Sequence, residues 1–202
     1  MPDNRSLSDL LAARFPPAVI GSHNYRDDAT VTIHPEFLLQ VAKLIKEDSA
    51  FQMNFLMDLT AVDYLNFGKG PEPVSYNNTG IPVRPNPQIP DEAPWPGRAL
   101  RPGSGQALPA RFEVVYHFFS LPMKQRLRVK VPVEESRLEV DSLTSLWESA
   151  NWFEREIWDM FGIRFRGHQN LKRILMYKEF TGHPLRKDYP VNKRQPLIGP
   201  MN

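Results

Sequence analysis

Apolar residues recur at steps of three and four through Leu143, Leu146, Trp147, Ala150, Phe153, Ile157, Met160 and Phe161. That period gives one continuous apolar face and predicts a helix over about 142–161. Asp141 or Ser142 can cap its start. Gly162, directly after the last apolar position, suits a left-handed C-terminal stop. Residues 111–120 and 125–133 instead alternate with a period of two. Phe112, Val114, Tyr116 and Phe118 interleave with Glu113, Val115, His117 and Phe119, and Leu127, Val129, Val131 and Val133 with Arg126, Arg128 and Lys130. These two runs predict a hairpin turned by residues 121–124, with one face apolar against helices and the other basic and wet.

The first third of the chain gives shorter signals. Residues 6–15 predict a helix capped by Ser6 or Ser8 and stopped by Pro16 and Pro17. Thr30-Val31-Thr32-Ile33 is β-branched and predicts a strand. His34-Pro35-Glu36 opens a helix with Phe37, Leu38, Val41, Leu44 and Ile45 on its apolar face, ending near Asp48. A strand is expected around 55–62, although its apolar run has no period that separates it from a buried helix. Residues 66–110 hold ten of the twenty prolines and show no apolar period, so they read as an extended surface loop or a disordered insertion.

Strands and helices do not strictly alternate, so the fold class is α+β: a small mixed sheet with helices packed on one face, followed by an extended basic C-terminal tail. The organisation expected is an α+β domain over 1–140 with the proline-rich insertion at about 66–110, a helix over 141–163 packed on it, and a basic docking tail over 164–202. A chain of 202 residues can bury about 70% of its unfolded surface. No run of 18 apolar residues spans a bilayer, and Met1-Pro2-Asp3-Asn4-Arg5-Ser6 lacks the apolar core of a secretory signal. The chain has no cysteine, which excludes disulfides, zinc–thiolate sites, a cysteine nucleophile and a cysteine-ligated iron–sulfur cluster.

Charge changes the picture near the C-terminus. Residues 164–194 carry nine Lys/Arg against two acids, a net +7 in a chain whose total is +2. Such asymmetry points to a partner of opposite charge. On the predicted helix, Glu154, Arg155, Glu156 and Asp159 lie within two turns, with Arg155 and Asp159 spaced to pair. They read either as a solvated face with a weak ion pair or as a site, and the density of Trp147, Trp152, Phe153, Trp158 and Phe161, more than one narrow core stripe absorbs, turns Trp152 or Trp158 to a second surface. His23, His34, His117, His168 and His183 form no metal-ligand spacing, and no glycine-rich phosphate loop occurs. No catalytic machinery is recognisable. Arg164, Arg166, Lys172, Arg173, Lys178, Arg186 and Lys187, interleaved with Phe165, Tyr177, Phe180 and Tyr189, fit single-stranded nucleic acid or a protein interface, and the carboxylates at 154–159 favour protein. Gly182, Pro184 and Pro190 are expected to keep the tail extended along a neighbour instead of folded on itself.

Three stretches together carry a resemblance. Glu154-Arg155-Glu156, Asp159, His168 and Lys172-Arg173-Ile174-Leu175 form one. Gly182-His183-Pro184-Leu185-Arg186-Lys187-Asp188-Tyr189-Pro190 forms the second and Asp58-Leu59-Thr60-Ala61-Val62-Asp63-Tyr64 the third. In this order they resemble the signatures of the C subunit of the proton-pumping NADH–quinone oxidoreductase, bacterial respiratory complex I, across residues 55–64 and 111–190. The resemblance implies a peripheral subunit of the hydrophilic arm on the cytoplasmic side of the inner membrane, touching the membrane only through the complex. It implies no cofactor in this chain, with FMN and iron–sulfur clusters held by other subunits. Its partners would be the quinone-site subunit (D) and the iron–sulfur subunits, and not nucleic acid. Arg186, Lys187 and Asp188 would hold the tail on the quinone-site subunit, and the residues at 154–159 would fix the fold at that contact. The insertion at 66–110 is longer than the family pattern. Two alternatives are the equivalent subunit of a membrane-bound hydrogenase or other-donor dehydrogenase, and a nucleic-acid module using the basic tail.

Overall fold

The computed structural model describes residues 6–26, 28–65, 110–190 and 192–195, together with the backbone of two short strands at 75–76 and 82–83. The chain divides into two units, residues 1–65 with 109–202, and residues 66–108. In the second unit β4 (Ser75–Tyr76) and β5 (Pro82–Val83) pair antiparallel. The expectation of a loop or disordered insertion at 66–110 otherwise lies outside the described residues.

The first unit is built on a five-stranded mixed sheet in the order β1 (Val19–Tyr25), β2 (Asp28–Ile33), β7 (Gln125–Val133), β6 (Phe112–Ser120), β3 (Phe55–Asp63). The β2–β7 pair is parallel and the other three are antiparallel. The hairpin follows the alternation closely, with Ser120 opposite Gln125 across the turn. Strand β1 has no counterpart in the sequence pattern. It is an edge strand whose residues after Val19 are all exposed, so burial imposes no alternation on it.

Helix α1 (Leu7–Arg14) begins at Ser6, whose hydroxyl accepts the Asp9 N–H, and buries Leu7 and Leu11. Helix α2 (Leu38–Glu47) follows a 3-10 turn over Pro35–Phe37 and buries Leu38, Val41, Ala42 and Ile45. These helices and α3 (Ala150–Phe161) contribute to one core with the inward strand residues. Phe118 and Trp147 meet there at 4.8 Å between centroids, and the Trp147 indole N–H donates to the Met53 carbonyl at 3.2 Å.

Two expectations need correction. The helix predicted over 142–161 begins only at Ala150. Asp141 is not its cap: it ends β8 (Glu139–Asp141), which runs parallel to β9 (Arg164–Arg166), and pairs with Arg166 at 2.6 Å. The apolar period continues through 143–147 because Leu143 and Trp147 are buried, but Lys46 takes the Leu146 carbonyl and Glu154 takes the Leu143 N–H. The Leu146 carbonyl is thereby withdrawn from a helical ladder, and the Ala150 N–H that would meet it there donates to the Trp147 carbonyl at 3.1 Å instead. The second correction concerns the outer sheet face, which is not simply wet. Thr30, Glu113 and Val115 are buried on it, Lys130 pairs with Glu113 at 2.8 Å, and Arg128 reaches toward Thr30. Long basic side chains lying flat cover this face themselves.

Candidate functional site

Helix α3 ends where the sequence predicts, with Gly162 in the left-handed region at φ 80°. Beyond β9 the backbone of the described residues is irregular. Residues 167–190 and 192–195 form a strap that returns over α3 and the sheet of their own chain, where Gly182, Pro184 and Pro190 led us to expect a tail not folded on itself.

Asp159 is the strap's central anchor. Its carboxylate is fully buried and one oxygen accepts three successive backbone N–H groups, from Ile174 at 3.0 Å, Leu175 at 2.9 Å and Met176 at 2.9 Å. The other oxygen takes Arg173. Burial pushes this carboxyl up, but the N–H groups and Arg173 outweigh it and hold Asp159 below the ordinary carboxylate range. Arg173 also donates to the Gly182 carbonyl at 3.0 Å and lies over the Trp158 and Phe180 rings. Arg155 does not pair with Asp159. Its guanidinium donates to the carbonyls of Lys172 at 3.1 Å and Arg173 at 3.2 Å, and it covers Trp152.

The next stretch docks on the helix end. The His183 ring packs on Gly162, and its Nδ1 donates to the Asp159 carbonyl at 3.0 Å, while the Leu185 N–H reaches the Met160 carbonyl at 3.1 Å. Burial lowers the His183 pKa, and nearby Arg173 and Arg186 act in the same direction. Gly182, at φ 102°, lets Tyr189 approach: a Cβ there would stand 2.8 Å from the tyrosine ring.

The far end closes on the sheet. Arg111 binds Asp63 through Nε at 3.1 Å and Nη2 at 3.0 Å, and binds Asp188 at 2.9 Å and Glu135 besides. The Lys187 N–H donates to Asp63 at 2.9 Å. Burial raises the Asp63 carboxyl, and Arg111 with the backbone N–H of Lys187 brings it below the ordinary range. Asp188 is lowered chiefly by its bond to Arg111. Arg111 and Arg186 both lie over the Phe112 ring, at 4.7 and 5.2 Å.

The predicted residues therefore separate by direction. Arg155, Asp159, Arg173, His183, Arg186 and Asp188 engage their own chain. Glu154 is buried beneath the turn before α3, hydrogen-bonded to Ser142 and Leu143. His168 accepts the Asn170 N–H on Nδ1 and donates from Nε2 to the Asn151 carbonyl. Tyr189 stacks on Phe180, and Pro184 is half-buried. Glu156, Lys172, Lys187 and Pro190 face outward. So do Trp152, Leu175 and Leu185, which are 59%, 56% and 50% exposed. Arg173 and Arg186 turn inward, and Arg173 meets Asp159, whereas Arg194 and the lysines at 172, 178, 187 and 193 are exposed. Sequence reasoning missed Arg111 as an anchor, because its partners stand 48 and 77 positions away and leave no local pattern. Among the described residues no group of three His, Cys, Asp or Glu is placed to hold a metal, and no helix is long and apolar enough to cross a membrane.

Residues 31–195, from β2 to the end of the strap, match the family model of the respiratory-chain NADH dehydrogenase 30 kDa subunit. The chain belongs to that family. It is 39% identical to the C subunit of NADH-quinone oxidoreductase from Citrifermentans bemidjiense over 98% of both chains, and 37% identical to that of a Roseiflexus species over 96% of this chain and 87% of the relative. Among solved structures it resembles a trypsin-resistant fragment of Nqo5, at 27% identity and TM-score 0.54, over 81% of this chain and 96% of that one. A chain of an archaeal membrane-bound sulfane sulfur reductase shares the fold at TM-score 0.57 and 16% identity. The match thus takes in β3, β6, β7, α3 and the strap together, and begins within β2, after α1 and β1.

Proposed function

We propose that this chain is a non-catalytic structural subunit in the peripheral arm of an NADH–quinone oxidoreductase, which passes electrons from NADH through flavin and iron–sulfur clusters to quinone and translocates protons. The observation that carries this is the family match from 31 to 195. With no cysteine, the chain offers no thiolate to an iron–sulfur cluster, so the redox groups fall to other subunits. It sits on the cytoplasmic side and meets the membrane through the assembly.

The partner is the quinone-site subunit, with iron–sulfur subunits of the arm nearby, and the docking surface is the outer side of the strap. Leu175 and Leu185 of the strap are exposed, as are its Lys172, Lys178 and Lys187 and, on α3, Trp152. Large apolar side chains held out on an anchored backbone, within a polar rim, have the composition of an interface. Arg186 and Asp188 serve this contact indirectly, by fixing the strap.

The test is affinity isolation of the tagged full chain from mildly solubilised host membranes. The quinone-site and iron–sulfur subunits should come with it, along with NADH–quinone activity. Leu175→Glu with Leu185→Glu should remove those partners while the purified chain melts as the wild type does. Undiminished recovery of the quinone-site subunit with the double variant would refute the docking surface, and absence of every redox subunit from the wild-type isolate would refute the assignment.

A further inference from the structure

Glu154 has a second, less ordinary property: its carboxyl is wholly inside the protein, and its hydrogen bonds come from uncharged groups. Oε2 accepts the Ser142 hydroxyl at 2.7 Å and Oε1 the Leu143 N–H at 2.7 Å. Ser142 Oγ lies 2.8 Å from Thr144 Oγ1. Thr144 lines an open cleft of about 520 Å³, shared with Ser145, Glu148, Asn151, Trp152 and His168. A chain of two hydroxyls therefore connects the buried acid to solvent.

The surroundings supply little to hold a negative charge. From β6 comes Tyr116, whose buried hydroxyl has no hydrogen-bond partner among the described residues. From β8 comes Asp141, which Arg166 of β9 occupies. Lys46 of α2 is taken by the Leu146 carbonyl, and β3 turns apolar Leu56, Leu59 and Ala61 into this core. An ionised carboxyl without a cation is strongly disfavoured in such a place, and two neutral donors recover only part of the lost hydration. Burial accordingly raises the Glu154 carboxyl to about 7, against the opposing pull of Ser142 and the Leu143 N–H.

We propose that Glu154 is a proton-binding site that exchanges with solvent through the hydroxyls of Ser142 and Thr144. On release, the carboxyl passes its proton to Ser142 Oγ, Ser142 passes its own to Thr144 Oγ1, and Thr144 passes its own to water in the cleft. Each hydroxyl ends with one proton, as it began, and uptake runs the same steps backward. Ionised Glu154 binds the Ser142 hydroxyl and the Leu143 N–H as a charged acceptor, and neutral Glu154 does so more weakly. Proton occupancy thus sets how firmly the turn carrying Trp147 is held to α3. The proton site is independent of the role in the respiratory complex.

The test is a pH titration of the side-chain carboxyl carbons of the full-length chain, labelled at glutamate and followed by NMR. The Glu154 signal is assigned through its bonded nuclei in the wild type and checked by its loss in Glu154→Gln. Its midpoint should fall near neutrality instead of at the ordinary 4.5. A midpoint in the ordinary range, or no titration while the chain is folded, would overturn the site. Thr144→Val should leave the midpoint in place and slow exchange, seen as a broadened or split signal at half-titration. An unchanged line shape would overturn the hydroxyl route.

Discussion

The His183 imidazole occupies the space a side chain on residue 162 would need: a Cβ on Gly162 would stand 2.7 Å from both Cδ2 and Nε2 of that ring. The glycine that ends α3 therefore also admits the strap. Helix termination and strap docking are a single requirement at this position.

Gly162→Ala should break both. The φ of 80° costs a residue with Cβ about 1–2 kcal/mol, and the clash cannot relax without displacing His183 from the Asp159 carbonyl. The expected outcome is a lower melting temperature with early proteolytic cleavage between 170 and 190. A variant as resistant as the wild type would show that the ring moves aside freely.

Removing Arg111 should be among the most damaging single changes. Asp63 is buried, and Arg111→Met would leave it with no cation, at a cost of about 3–5 kcal/mol. Arg111→Met with Asp63→Asn should recover part of that loss. Chemical denaturation of the two singles and the double gives the coupling directly, and simple additivity would contradict it.

Trp152→Ser should behave in the opposite way. The indole is largely in water and meets Arg155 only across its face. Folding stability should change by no more than about 0.5 kcal/mol, while recovery of partner subunits falls. A large drop in melting temperature would instead make Trp152 part of the core.

Acid should release the strap in two stages. The neutral form of His183 is favoured when folded, so its contribution is complete above its unfolded pKa of 6.5 and is lost as pH falls through the lower folded value. Asp63 and Asp159 are likewise depressed from 3.8, so their contribution is present above that value and disappears below it. Glu154 works against the first stage, because its raised pKa makes the folded state gain stability as pH falls from about 7 toward 4.5. Proteolytic sensitivity of residues 170–190 should therefore begin to rise below pH 6.5, and the global transition should come near or below pH 4. A strap that stays protected until the global transition would show that His183 contributes nothing to its closure.

Much of the sheet could be seen in the sequence because side chains alternate wherever one face is buried. The two long hairpin strands and their turn follow that alternation almost residue for residue. The same logic hid β1, which is exposed at the edge. It also carried the α3 prediction too far, since Leu143 and Trp147 keep the helical period from a turn. Glu154 was legible in retrospect. It stands four residues after Ala150 and three before Ile157, on the apolar stripe itself, where a solvated acid has no place. Asp159 lies on the opposite side of the helix, and no periodicity announces the strap that buries it. The basic tail was visible as charge, but the acids that pair with its Arg166 and Arg173 lie on β8 and α3. Only the folded chain brings them together.

The Asp159 anchor also orders events during biosynthesis. Ile174, Leu175 and Met176, which supply its three N–H groups, leave the ribosome after the sheet strands and α3, as do Lys187 and Asp188 at the Arg111 end. A nascent chain that has reached only α3 holds Asp159, whose three backbone donors do not yet exist, and Asp63, which has Arg111 and the Leu65 N–H but not yet the Lys187 N–H. The core can collapse at that point, but those acids keep their water until the strap arrives. Translation halted before residue 173 thus yields a chain with a nearly complete core and an open, hydrated seam. Cellular quality control can read that seam as the mark of an unfinished subunit.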